Sequence, residues 1–227
     1  MDGTGRLFRP FLEVLPHDIL PSVVSYPADI PLTYAQTEDI VRTALPREAE
    51  FALLGESYSG PIALRIAARR PQGLRAVVLA ASFALAPNSK AAAAIGLLGS
   101  WPFRIPPPDW LINKFLLGPG APAPLVSEFK QAVRQVGPKV LARRLRDILA
   151  VDVREELKAC PYPILCLAAN EDRLVPQHIY RSMAALRPDL ELVRMDGPHC
   201  LLSRYPAAAA NEIRRFLCRI FERTHNP

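Results

Sequence analysis

Four cysteines and four histidines are all that the 227 residues contain, and Cys160, Cys166, Cys200 and Cys218 show no C-x-x-C spacing. A zinc or iron–sulfur centre would have to draw its ligands from unrelated places, so no metal or cofactor is expected and the thiols read as packed, inert side chains. Long apolar runs are also missing. The longest uncharged one, Ala91 to Gly99, falls far short of the roughly 20 residues that cross a bilayer. The opening Met1-Asp2-Gly3-Thr4-Gly5 has neither a basic stretch nor an apolar core, so nothing there resembles a secretory signal. A soluble, cytoplasmic protein is the expectation.

Lysine is scarce, confined to positions 90, 114, 130, 139 and 158, so arginine carries most of the net charge of +6. Aromatic residues are only 7% of the chain, too few to interleave with clustered charge as nucleic-acid binding requires. The densest basic group, Arg143, Arg144 and Arg146, lies among Leu141, Leu145, Ile148 and Leu149 at helical spacing. It reads as a solvated helix face. No nucleic-acid partner is expected.

What the chain does contain is apolar residue at half its positions, enough for one sizeable core with an insertion. Ser22 to Tyr26, Phe51 to Leu54, Ala76 to Ala81 and Ile164 to Ala169 are apolar throughout, the pattern of parallel strands covered on both faces. A fifth run, Leu190 to Met195, alternates and is placed at an edge. Helical patterns over Tyr34 to Leu45, Tyr58 to Arg70, Val175 to Leu186 and Ala207 to Phe221 fall between the strands. This alternation predicts an α/β fold, a mostly parallel sheet of about five strands with helices on both faces.

The interval from Phe83 to Cys160 breaks the alternation. It carries helix-like pieces and no convincing strand, interrupted by Pro106-Pro107-Pro108 and by the Gly118 to Pro122 stretch. Asp109 is expected to cap a helix from Trp110 to Leu117, and Gly137-Pro138 to separate two longer helices. The domain reading is therefore a core of residues 1–82 and 161–227 with a helical cap at 83–160.

Chemistry concentrates in three places. Leu53-Leu54-Gly55-Glu56-Ser57-Tyr58-Ser59-Gly60 runs from a predicted strand into a predicted helix. A strained strand-to-helix turn exposes a serine hydroxyl and needs small neighbours two residues either side, here Gly55 and Ser59. The helix aims its N-terminal amides at a developing oxyanion, which makes the Tyr58 backbone N–H a donor. The strand at Ile164 to Ala169 is followed by Asn170-Glu171-Asp172-Arg173-Leu174-Val175-Pro176, and Leu190 to Met195 by Asp196-Gly197-Pro198-His199. All three loops leave the C-terminal ends of strands, which share one edge of a parallel sheet.

In these segments the chain resembles the α/β-hydrolase superfamily. The first is similar to its G-x-S-x-G nucleophile elbow, with Ser59 in place of the last glycine; the others are similar to its D-R-x-V-P acid loop and its terminal G-x-H loop. The resemblance implies Ser57 as nucleophile, His199 as general base and Asp172 as the acid that orients the imidazole, in the family's chain order. Glu171 is the rival acid, Asp196 a turn residue, and His17, His178 and His225 bystanders. Cys200 adjoins His199 and reads as a packed residue.

Met1-Asp2-Gly3-Thr4-Gly5-Arg6-Leu7-Phe8 is similar to the family's oxyanion loop, which would put the Met1 backbone nitrogen at the second oxyanion donor. The family's strand upstream of that loop is absent from the chain as given. The expectation is that Ser22 to Tyr26 shifts to pair with Phe51 to Leu54, or that a second copy covers the open edge in a homodimer. The elbow and cap are most similar to carboxylesterases, including those acting on methyl esters of acyl carrier proteins. They imply a small-molecule ester substrate of short to medium acyl chain. Ile95, Leu97, Leu98, Trp101, Phe103, Trp110, Phe115 and Leu116 are the candidates for a bounded apolar pocket. Thioesterase, lipase and cofactor-free perhydrolase chemistry would use the same parts. A non-catalytic binding protein on a degenerate hydrolase fold is the alternative from another class.

Overall fold

The computed structural model describes residues 2–87 and 90–222. Helices α1 (Arg9–Leu12) and α2 (Tyr34–Thr43) lead to strand β1 (Phe51–Glu56), helix α3 (Ser59–Ala68) and strand β2 (Leu74–Ala80). Five α-helices then follow without a strand, α4 (Lys90–Leu97), α5 (Asp109–Ile112), α6 (Ala123–Arg134), α7 (Pro138–Ala150) and α8 (Arg154–Ala159), with a 3-10 turn at Trp101–Arg104 and a π-helical turn at Asn113–Leu117. Strand β3 (Ile164–Ala169), helix α9 (Gln177–Leu186), strand β4 (Glu191–Met195) and helices α10 (Leu201–Arg204) and α11 (Pro206–Phe221) complete the chain. The strands form one parallel sheet in the order β1-β2-β3-β4.

Two-sided burial explains the continuous apolar strands. On β2, Val77 and Leu79 pack on one face with Ile62 and Ile66 of α3 and Met183 of α9. Ala76, Val78 and Ala80 point the other way, toward Ile213 and Phe216 of α11. β3 alternates likewise, with Ile164, Cys166 and Ala168 on the first face and Leu165, Leu167 and Ala169 on the second. Burying Ile213 and Phe216 contributes roughly 1.5–3 kcal/mol each, which holds α11 across the sheet.

Local signals set several boundaries. Thr33 and Gln36 form a reciprocal capping box at the start of α2, with bonds of 2.9 and 3.1 Å. Pro138 opens α7 at a position where its missing N–H costs nothing. Asp109, expected to cap a helix, instead lies inside the first turn of α5, after Pro108, and pairs with Lys130 at 2.6 Å.

The sheet has four strands where five were expected, because Ser22 to Tyr26 forms no strand. Pro21 and Pro27 bracket that segment and remove ladder donors at both ends. Its polar groups turn to the N-terminal loop instead: Tyr26 N–H donates to Gly3 O at 2.7 Å, and Ser25 Oγ to Thr4 O at 3.0 Å. Only Val24 and Tyr26 pack against the core, so the apolar run is not a two-faced strand. It does not pair with β1, which lies at the edge of the sheet. Among the described residues no helix is long and apolar enough to cross a membrane.

Candidate active site

Ser57 sits where β1 turns into α3, with φ +51°, a left-handed backbone that an L-residue adopts only under strain of about 1–2 kcal/mol. Three bonds hold it there. Ser57 N–H donates to Ala80 O at 2.9 Å, while Ser57 O accepts from Gly60 N–H at 3.1 Å and from Ser82 Oγ at 2.8 Å. Gly55 permits the turn, since a Cβ there would lie 2.7 Å from Ser59 O and 2.8 Å from the Gly60 Cα.

The structure brings together side chains from the ends of β1, β3 and β4. Ser57 Oγ lies 2.8 Å from His199 Nε2, and His199 Nδ1 lies 2.8 Å from Asp172 Oδ2. The His199 side chain is 5% exposed and that of Asp172 is fully enclosed, so water does not compete for these bonds. Asp172 is anchored on its other oxygen as well: Oδ1 accepts the N–H groups of Leu174 and Val175 at 2.8 and 2.9 Å. Tyr180 Oη donates to Oδ2 at 3.1 Å. Burial pushes the Asp172 carboxyl up, but the adjacent His199 and the backbone N–H groups outweigh it and hold it below its usual value.

The competing candidates lie elsewhere. Glu171 is exposed, and its N–H donates to Gly197 O at 2.9 Å, tying the loop after β3 to the loop after β4. Asp196 is exposed and accepts from Asn170 Nδ2 at 2.6 Å. His17 and His178 are exposed, whereas His225 and Met1 lie outside the described residues. Cys200 is packed with Ile112, Leu117, Val126 and Phe129, and burial pushes its thiol well up. No group of three metal-ligating side chains occurs among the described residues.

The pocket candidates divide. Leu97 is 89% exposed and Trp101 66%, and Leu98 and Trp110 are exposed as well, so these side chains do not wall a cavity. The helix that carries Trp110 turns another face inward and buries Ile112. Leu116 meets the site, accepting the Cys200 N–H on its carbonyl at 2.9 Å.

Three residues beside this constellation had no role in the sequence reading. Glu56, next to Ser57, accepts the Leu202 N–H at 3.3 Å, and burial pushes its carboxyl up to about 7 despite the opposing field of His199. Tyr180 was hidden because nothing local marks it as a partner of Asp172. Arg144 was assigned to a solvated face, yet it is 4% exposed. It falls three residues after Leu141 and four after Val140, on the buried stripe of α7, and that periodicity was the available signal.

An acyl or carbonyl carbon held beside Ser57 would meet an oxygen nucleophile, a base behind it and a fixed carboxylate behind the base. Comparison with known proteins agrees with this architecture. RutD of Yersinia enterocolitica, named as a carbamate hydrolase, is 26% identical over 229 residues, covering 88% of this chain and 78% of that protein. The structure of a bromoperoxidase from Bacillus anthracis matches with a TM-score of 0.80 at 16% identity, covering 94% of this chain and 87% of that one. An esterase from Exiguobacterium antarcticum matches with a TM-score of 0.77 at 14% identity over 94% and 87%. At such identities the structural likenesses speak for the fold alone. The family model described as "Alpha/beta hydrolase family" matches residues 3–212, and the chain belongs to that family.

Proposed function

We propose that this protein is a serine hydrolase of carboxylic esters, working through an acyl-enzyme on Ser57 without a cofactor. The observation that carries the reading is the unbroken hydrogen-bond chain from Ser57 Oγ through His199 to Asp172, with both bonds at 2.8 Å. His199 Nε2 takes the Ser57 proton as Oγ attacks the ester carbon, then returns it to the leaving alcohol. Asp172 holds Nδ1 protonated and stabilises the imidazolium. The Tyr58 backbone N–H, at the N-cap of α3 where no intrahelical acceptor exists, donates to the oxyanion. Water activated by His199 then releases the acid.

Residues 83–160 act as the helical cap of a core made of 1–82 and 161–227, and the substrates are esters of short to medium acyl chain. The open edge of β1 pairs with a second copy, which light scattering would test. Carbamate cleavage is the second reading, favoured by the similarity to RutD, and it would use the same nucleophile. Hydrolysis of p-nitrophenyl butyrate tests the first reading against Ser57→Ala. The wild type should turn over and the variant should keep under about a thousandth of the rate; a variant retaining a tenth or more removes Ser57 from the reaction.

A further inference from the structure

Arg144 is a buried cation that the proposed chemistry leaves unused. It reaches from α7 to the N-terminal loop, donating from Nη1 to Asp2 O at 2.6 Å and from Nη2 to Pro27 O at 3.0 Å. Its guanidinium carbon lies 5.7 Å from the Tyr26 ring and 6.0 Å from the Tyr58 ring, within range of cation–π attraction to both. Gly3, at φ +66°, leaves room for it: a Cβ there would be 2.8 Å from Nη1 and 2.9 Å from Tyr26 Cδ2. Burial pulls the guanidinium below its ordinary pKa, and Tyr58, Asp2, Tyr26 and Asp147, which face it from three other segments and its own helix, oppose that pull.

Two of the groups that Arg144 meets, Tyr58 and Tyr26, adjoin the nucleophile elbow. Tyr58 follows Ser57, is 1% exposed, and stacks on Tyr34 at 4.5 Å with the rings 14° apart. Tyr26 meets the Tyr58 ring edge-on at 6.3 Å, and its hydroxyl lies 3.0 Å from Ser59 Oγ. Tyr26 N–H also fastens Gly3 O. At its far end the same N-terminal segment is tied down near His199, where Ser203 Oγ of α10 donates to Leu7 O at 2.8 Å. The segment from Asp2 to Leu7 thus runs from Arg144 to the helix that follows the histidine.

We propose that Arg144 is a positioning residue that locks the backbone of Tyr58 and the Asp2–Thr4 loop on the oxyanion side of Ser57. It does not touch the reacting atoms. Through the rings of Tyr26 and Tyr58 it fixes the direction of the Tyr58 N–H, and through Asp2 O it fixes the Asp2–Thr4 loop. The effect is therefore on the tetrahedral state, where oxyanion donors matter, and not on ground-state binding. This inference rests on the serine-hydrolase reading.

The test measures p-nitrophenyl acetate kinetics, inhibition by an alkyl trifluoromethyl ketone, which forms a tetrahedral adduct with the serine, and melting temperature. Arg144→Met should lower kcat at least tenfold, leave KM within about threefold and weaken the ketone by the same factor as kcat/KM. Arg144→Lys, which keeps the charge but loses the forked reach to two carbonyls, should recover part of both losses. If Arg144→Met does not fold, Arg144→Lys and Tyr26→Leu, which removes the ring that Arg144 meets, decide the matter, each expected to lose severalfold in kcat and in ketone affinity together. Folded variants with kcat and ketone affinity within twofold of wild type, or with losses confined to KM or melting temperature, overturn the role of Arg144. A wild type whose hydrolysis is unaffected by Ser57→Ala overturns the underlying reading instead.

Discussion

Tyr180 donates its hydroxyl to the same oxygen of Asp172 that faces His199, at 3.1 Å against 2.8 Å for the histidine. Oδ2 is therefore held from two sides, and Tyr180, itself fully buried, has no water to turn to. Tyr180→Phe should cost about 1.5–3 kcal/mol of stability, the range for a hydrogen bond to a charged group. The activity should fall less than tenfold, because Leu174 and Val175 still hold Oδ1. Urea unfolding and p-nitrophenyl butyrate kinetics check both numbers. A variant as stable as wild type would show that Tyr180 does not anchor the carboxylate.

Asp172→Asn should be far more damaging than Glu171→Gln. The amide cannot stabilise an imidazolium and favours the wrong tautomer of His199, an effect of about 10⁴-fold in kcat where such a residue has been changed. Glu171 is exposed and its substitution should leave kcat within about twofold, as for surface changes away from a site. Steady-state kinetics on the two variants settles the assignment, and the reverse ranking would transfer the role to Glu171.

Glu56 makes stability depend on pH with an unusual sign. Its carboxyl is raised by burial from 4.5 to about 7 in the folded protein, so between those values the folded state binds the proton that the unfolded state has lost. Stability from this residue is fully present below pH 4.5 and declines as pH rises through 7, by about 3 kcal/mol in all. Asp172, lowered in the folded protein, acts in the opposite sense and only in acid, below its ordinary range. Urea midpoints at pH 5 and pH 7.5 should therefore differ in the wild type, and the difference should shrink in Glu56→Gln. An unchanged difference would assign the pH dependence to other groups.

Much of this arrangement was legible in the sequence. The strands β2 and β3 were readable because both faces are buried, which makes every residue apolar except Arg75 near the start of β2. The loops bearing Ser57, Asp172 and His199 were readable because a parallel sheet presents its strand ends together. Ser22 to Tyr26 misled for the converse reason: an apolar run reports burial, and Val24 and Tyr26 are partly buried against the core without any ladder. Arg144 misled because charge was weighed above period, although its place after Val140 and Leu141 put it inside. Glu56 and Tyr180 join Leu202 and Asp172 through contacts made only on folding, and no local pattern encodes those pairs. The cap helices showed their apolar residues but not which face turns inward, so Leu97 and Trp101 were assigned to a pocket they do not line.

The central claim is that Ser57 is a nucleophile activated by His199. Peptide mapping after incubation with a fluorophosphonate tests it most directly, since the reagent phosphonylates a serine oxygen only when a base removes its proton. One added phosphonyl group is expected on the peptide containing Ser57, none in Ser57→Ala, and a rate of labelling at least a hundredfold lower in His199→Ala. Wild-type protein that hydrolyses p-nitrophenyl butyrate while Ser57 stays unmodified, or labelling that proceeds equally well without His199, would contradict it.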